Sequence, residues 1–291
     1  MTQQQIKQND TETPLLPEST LLYHYTSLES FLGIVESGTL WASHIRYLND
    51  TSEQRLIWEL FRTRIKERLQ HASGTLHDKL MELKAVAANP QDEDIYVVSF
   101  SEDGGDRLSQ WRGYGANEGI AVGFNPVELN HQCKKFTTKA CKSTPNRGAA
   151  CLRKVQYVDD SKKDEYNGII DTFLDRGLLD FSTSKFTPEQ AFVRGVSFFA
   201  ATLKHTAFSD EREWRIIIFD YEGGPTPRYR ARKSLLIPFI ELDIKDTAPP
   251  KIFVGPSPHK ENTVTTIKHL LIANGSNGTE VIPSQIPYRD W

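Results

Sequence analysis

No apolar run in the 291-residue chain approaches the roughly 18 residues that a membrane-spanning helix needs. The opening stretch MTQQQIKQNDTETPLLPEST is polar and has no apolar h-region of a secretory signal. The expectation is a cytoplasmic chain with no membrane partner. Cysteine is scarce, confined to Cys133, Cys141 and Cys151. An odd number in a long chain fits reduced thiols rather than a disulfide framework. With His131 these cysteines show no CxxC or HxxxH spacing, so no metal site is expected. Neither GxGxxG nor GxxxxGKS/T occurs, which removes a dinucleotide Rossmann turn and a P-loop. Charge of one sign is not in excess either. Lys and Arg number 35 against 38 Asp and Glu, a net charge of -3, which argues against binding nucleic acid through a bulk basic surface. Gly 18 and Pro 15 are ordinary counts, so the chain is neither collagen-like nor wholly disordered.

What is present reads as short strands and helices, with more strands than clean βα alternation would give. Residues 1–18 read as a disordered arm. Leu21–Tyr25 reads as a first strand. Ser27 caps a helix with Leu28, Phe31, Leu32 and Val35 on one face, and Gly38 stops it. TLWAS is a second strand. Asp50 and Glu53 form a capping pair for a helix over 51–70, with Ile57, Phe61, Ile65 and Leu69 stepping by four. A further helix is expected near 75–88. DIYVVSFSE is a clear strand, RLSQWRGY a short helix, and GIAVGF a strand. Residues 130–150 read as a polar, lysine-rich loop, and CLRKVQYV as a strand. Two helices follow, DEYNGIIDTFLDRGLLD and TPEQAFVRGVSFFAATLKHTAF, the second with Pro188 near its start. EREWRIIIFD, SLLIPFIEL and KIFVG are strands, Glu261–Ala273 is a helix, and EVIPSQIPYR closes in extended form. The pattern predicts one α+β domain over 19–291, with a mixed or antiparallel sheet and helical insertions.

Four clusters mix aromatic, charged and small polar residues at strand ends. They are HYTS at 24–27 with WASHIRYLND at 41–50, SFSEDGGDRLSQWRGYG at 99–115, SDEREWR at 209–215, and GPSPHKE at 255–261 with SQIPYR at 284–289. In this order they resemble a bacterial family known only as a domain of unknown function. That resemblance runs from about Tyr23 to Arg289 and implies no chemistry.

The chain is also similar to ADP-ribosyltransferase toxins and their relatives. Those carry a basic residue on a first strand, SxS or Tyr on a middle strand, and Glu, often ExE, on a later strand. The matching residues are His24, Ser99 and Ser101 with Tyr114 following, and Glu211 and Glu213. The resemblance implies NAD as substrate, and a defence or toxin–antitoxin role. The imidazole would anchor the ribose and adenosine side, a serine would orient the glutamate, and an aromatic ring would stack on nicotinamide. The carboxylate would stabilise the charge that develops as nicotinamide leaves. Within a strand, Glu211 and Glu213 would point to one face. Tyr25, Trp111, Arg112, Tyr114, Arg215 and Arg289 complete the candidate NAD-binding set, and Arg112, Arg215, Arg232 and Arg289 are candidates for an anion pocket. His24 in place of Arg departs from the SxS/ExE type, and the gaps between motifs require helical insertions.

Each residue also has a structural reading. His24 fits a histidine bonded to a carbonyl. Glu213 and Arg215 fit a cross-strand ion pair on a solvated face, and Trp111 with Tyr114 fits a core stripe. Two other functions stay open: a non-catalytic module binding protein or nucleotide, and a nucleic-acid-processing enzyme using Asp210, Glu211 and Glu213. The acceptor under the NAD reading would be a protein or a nucleic acid.

Overall fold

The computed structural model describes residues 20–48, 52–88, 94–114, 118–143, 149–159, 163–177, 187–219, 226–232 and 234–287. The expected arm over 1–18, the Asp50–Glu53 capping pair and Arg289 lie outside the described residues or side chains.

In chain order, β1 (Leu22–Thr26) leads into α1 (Leu28–Ser37). The Ser27 hydroxyl accepts from the Ser30 N–H at 3.1 Å, and Gly38 at φ 63° ends the helix. Of the expected apolar face only Phe31 is fully buried, while Leu28 and Leu32 are exposed. β2 (Thr39–His44) follows, then α2 (Ser52–Leu69) and α3 (Thr75–Ala88). Ile57, Phe61 and Ile65 are buried along α2 as their spacing requires. β3 (Ile95–Ser101), α4 (Leu108–Tyr114), β4 (Ile120–Phe124) and α5 (Pro126–Ser143) come next. The expected loop over 130–150 is therefore mostly helix. Leu129 and Cys133 are buried, with Phe136 packed beside them, a helical stripe too sparse to stand out among lysines.

β5 (Ala149–Lys154) and β6 (Gln156–Val158) divide what reads as one strand. At the break, the Val155 N–H donates to the Glu213 carbonyl at 2.9 Å. α6 (Lys163–Gly177) and α7 (Pro188–Ala201) follow. The TLKHTAF tail expected to be helical is instead β7 (Leu203–His205) and a 3-10 turn over Thr206–Glu211. β8 (Glu213–Phe219), β9 (Arg228–Arg232), β10 (Leu235–Asp243), β11 (Lys251–Val254), α8 (Lys260–Ala273) and β12 (Glu280–Pro283) complete the described elements. β9, with sequence RYRAR, escapes apolar patterning altogether.

Among the described residues ten strands form one mainly antiparallel sheet in the order β12-β11-β4-β1-β3-β2-β10-β9, with β8 and β5 continuing from β3. β11 and β12 pair in parallel, as do β6 and β7 in a separate two-stranded sheet. The sheet branches at β3. One of its edges pairs along its length with β8. The other is shared by β1, at Tyr23↔Ser101, and β2, at Ser43↔Val97 and His44↔Tyr96. Phe31 of α1 and the apolar residues of α5 and α8 pack with one face of the sheet in the largest core cluster. A second core lies among α2, α3, α6 and α7, reaching the opposite face through Ala201 and Phe198 beside Ile95, Val97 and Ile217. This is an α+β architecture with a helical insertion, as the sequence pattern predicts.

Gly105, at φ 87°, lies against this frame so closely that a Cβ would stand 2.5 Å from the Tyr23 ring and 2.6 Å from Phe253. Gly105→Ala is expected to cost roughly 1–3 kcal/mol, combining backbone strain with overpacking. Urea unfolding reads this directly, and an unchanged midpoint would refute the tight packing of the 103–106 loop.

Candidate active site

Strand pairing aligns the middle and late motifs. Ser99 stands opposite Arg215, and Ser101 opposite Glu213. Opposed residues of an antiparallel pair project to the same side, so these four share one face. Glu211 does not continue the strand, as the sequence pattern would have it. It ends the 3-10 turn, and Arg212 follows at φ 44° in the left-handed region before β8 begins at Glu213. The Ser101 hydroxyl donates to the Glu211 carbonyl and anchors that turn. The Glu213 N–H donates to the Tyr157 hydroxyl at 2.7 Å.

Lys204, supplied by β7, lies between the two carboxylates. Its Nζ is 2.7 Å from Glu211 Oε2 and 3.1 Å from Glu213 Oε2. Arg215 holds Glu213 by two bonds, Nε to Oε1 at 2.8 Å and Nη2 to Oε2 at 3.0 Å, and its Nη1 donates to the Ala201 carbonyl at 2.9 Å. Glu213 and Arg215 thus pair along one strand, at i and i+2, rather than across strands. Two cations and two anions are enclosed together, which is how buried charge is tolerated. Burial alone would raise the Glu213 carboxyl. Arg215, Lys204 and a hydrogen bond from the Ser99 side chain outweigh it and hold the carboxyl at about 2. Burial works against the Lys204 charge, but Glu213, Tyr114 and Glu211 raise the ammonium above its ordinary range.

Glu211 has the open side. Its side chain is 19% exposed against 6% for Glu213. The Tyr114 hydroxyl donates towards both Glu211 oxygens at 3.3 Å, and Tyr114 remains exposed. The acid triplet Asp210, Glu211, Glu213 does not form a metal cluster: Lys204 stands between the two glutamates, and the Asp210 carbonyl accepts from Arg107.

His24 belongs to the opposite side of β1 from Tyr23 and Tyr25, with its ring 5.8 Å from that of Phe100. At the edge of β3 its Nδ1 lies 2.9 Å from the Ser99 carbonyl. A carbonyl only accepts, so Nδ1 carries the proton. Burial, opposed by this bond and reinforced by the Arg230 charge, keeps the imidazole pKa below its usual value. The ring is therefore neutral near pH 7, with Nε2 left as an acceptor.

His24 thus lies on the other face of the sheet from the Ser99, Ser101, Glu213 and Arg215 side chains, and the remaining candidates do not gather around the acids either. Tyr25 donates to Asp103 at 3.0 and 3.2 Å. Trp111 is fully buried, edge-on to Tyr25 at 4.8 Å, and its indole N–H donates to Asp106 at 2.9 Å. Asp106 also accepts from the Ser284 hydroxyl and the Gln285 N–H, so these two residues are fastened to the SEDGGD loop. Trp111 is a core residue and presents no free ring face to a ligand. Arg112 is exposed. Arg215 is wholly engaged within the cluster, and Arg232 lies on β9, so the expected arginine pocket does not form among the described residues. Lys204 and Tyr157 escape sequence reasoning, because each comes from a short strand of the minor sheet with no pattern of its own.

Residues 110–216 match a family described as Protein of unknown function (DUF2971). The matched span begins within α4 and ends within β8, taking in Trp111, Lys204 and the Glu211–Arg215 segment. No curated protein and no solved structure matches the chain. No helix among the described residues is long and apolar enough to cross a membrane. Cys133 and Cys151 are free thiols, and burial pushes the Cys133 thiol up to about 12.

Proposed function

We propose that this protein splits NAD, passing ADP-ribose to water or to a protein or nucleic-acid acceptor, with Glu211 as the carboxylate that meets the ribose. One observation carries the reading: Ser99 joins the first and last motifs. Its carbonyl holds the His24 imidazole and its side chain supports the Glu213 carboxylate, while β1, β3 and β8 lie side by side. The residues fit the dinucleotide in part. The exposed Tyr114 ring would stack on nicotinamide and Glu211 would accept from a ribose hydroxyl, while His24, on the other face of the sheet, would act through the Ser99 backbone. Lys204, Glu213 and Arg215 are positioning residues. In the reaction the bond between the nicotinamide nitrogen and ribose C1′ breaks, and its electron pair leaves with nicotinamide. An oxygen nucleophile bonds to C1′ and gives up its proton. Glu211 opposes the positive charge that develops between those events. A defence or toxin–antitoxin role would follow from such an activity.

Purified protein incubated with labelled NAD is expected to release nicotinamide. Glu211→Gln should lower the rate by about 100-fold or more, with the unfolding midpoint of the same variant showing that it is folded under the assay conditions. Wild type that releases no nicotinamide and labels nothing in a cell lysate would overturn the proposal. A fully active Glu211→Gln would remove this carboxylate from the chemistry. A second reading, a non-catalytic module that binds protein or nucleotide, is favoured by the saturation of Glu213. Both of its oxygens are already bonded to cations.

A further inference from the structure

Among the described residues β9 is the last strand of the sheet, and its neighbour β10 pairs Arg232 with Leu235, Arg230 with Ile237 and Arg228 with Phe239. Strand alternation therefore puts all three arginines on one face, successive members about 7 Å apart. β10 in turn pairs with β2, which sets Phe239 beside Ser43 and Glu241 beside Trp41 on that same face. The arginines thus lie over an aromatic floor. Trp41 and Phe239 stack at 4.4 Å and 25°, the Arg230 guanidinium stands 6.0 Å from the Trp41 ring, and Arg228 stands 5.9 Å from Phe239. Trp41 is 39% exposed, so part of its ring system faces solvent.

The charges on this face are incompletely matched. Arg228 pairs with Glu241. Arg230 donates from Nη2 to the Ser43 hydroxyl at 2.8 Å, but its buried Nε has no hydrogen-bond partner among the described residues. Arg232 is exposed. Burial first, and the Arg232 charge second, press against the Arg230 charge. An incoming anion would relieve the second of these.

A second copy of the chain fits poorly. Antiparallel pairing of two β9 edges about Arg230 would set arginine against arginine, the like-charge arrangement that protects sheet edges from each other. A partner with regularly spaced negative charges and flat rings fits instead.

We propose that the Arg228, Arg230 and Arg232 face of β9, together with Trp41, binds single-stranded nucleic acid. The arginines take successive backbone phosphates and Trp41 takes a base. The surface is local, so the near-zero net charge of the chain does not oppose it. The binding rests on no step of NAD chemistry and is measured without NAD.

The test is fluorescence anisotropy of the full chain with short labelled uridine and thymidine oligonucleotides, with polyglutamate as competitor. Wild type should bind either or both single strands at about 50 mM salt and weaken steeply towards about 200 mM. Arg230→Gln with Arg232→Gln should weaken binding roughly tenfold or more, and lower the salt slope by about 0.7 for each phosphate no longer neutralised. Trp41→Leu should cost roughly tenfold, the loss of one stacked base. Arg232→Gln alone, on an exposed side chain, keeps the test valid if the double variant folds poorly, and should still weaken binding and lower the slope. Absence of binding by wild type at low salt would overturn the proposal. So would equal displacement by polyglutamate, which would make the surface a general acidic-peptide site, or variants that bind like wild type.

Discussion

Arg215→Ala is expected to lower the free energy of unfolding by about 3–5 kcal/mol, the cost of breaking a buried ion pair from one side. Arg215 is 2% exposed and makes two bonds to Glu213 and one to the Ala201 carbonyl. Its removal leaves the Glu213 carboxylate enclosed with Lys204, which Glu211 also claims. The Ala201 carbonyl, at the end of α7, loses the bond that ties the helical insertion to β8. Both strand and insertion should therefore loosen together, which hydrogen exchange on Ile216–Ile218 would register. Arg215→Ala with Glu213→Gln should cost less than the two single variants summed, because the second change removes the stranded charge. A loss below about 1 kcal/mol for Arg215→Ala would mean that the pair is not enclosed as described.

Acid should weaken the protein through Glu213 in a defined window. Its carboxyl is held at about 2 in the folded protein against an ordinary 4.5. A carboxyl depressed by folding contributes stability that is present above its unfolded pKa and lost as pH falls through its folded one. The window is therefore from about 4.5 down to about 2, and the contribution at stake is on the order of 3 kcal/mol. Hydrogen bonds from Arg64 hold the Asp171 carboxyl low as well, so the comparison must be differential. Near neutral pH, Glu213→Gln should be less stable than wild type. The gap should shrink by on the order of 3 kcal/mol as pH falls through that window. Urea unfolding of the two proteins at several pH values measures it, and a gap that stays constant would rule out this role for Glu213.

Elements with a dense apolar repeat are legible in the sequence. α2 buries Ile57, Phe61 and Ile65 at a spacing of four, and β3 and β8 bury near-continuous β-branched and aromatic runs. Elements stabilised mainly by their neighbours are not. Among its described side chains, α5 sets Leu129, Cys133 and Phe136 against the core between lysines and threonines, and β9 is an arginine strand held by its ladder to β10. The EREWR segment shows how local order misleads. Period-two reasoning puts Glu211 and Glu213 on one strand face, yet the chain turns through a left-handed Arg212 between them. They meet because Lys204 bridges them.

From the sequence alone came the α+β pattern, the absence of a long apolar span, and the order of the His24, Ser99–Ser101 and Glu211–Glu213 motifs. The first two depend on composition and short-range periodicity, which any stretch of chain carries by itself, and the third on the resemblance to ADP-ribosyltransferases. Only the tertiary structure decided that Glu213 is a neutralised, enclosed carboxylate and Glu211 the open one. It alone placed Trp111 in the core and Arg228, Arg230 and Arg232 over a shared aromatic floor. Those outcomes depend on burial and on charges brought together from strands far apart in sequence, and desolvation and Coulomb attraction act through space rather than along the chain.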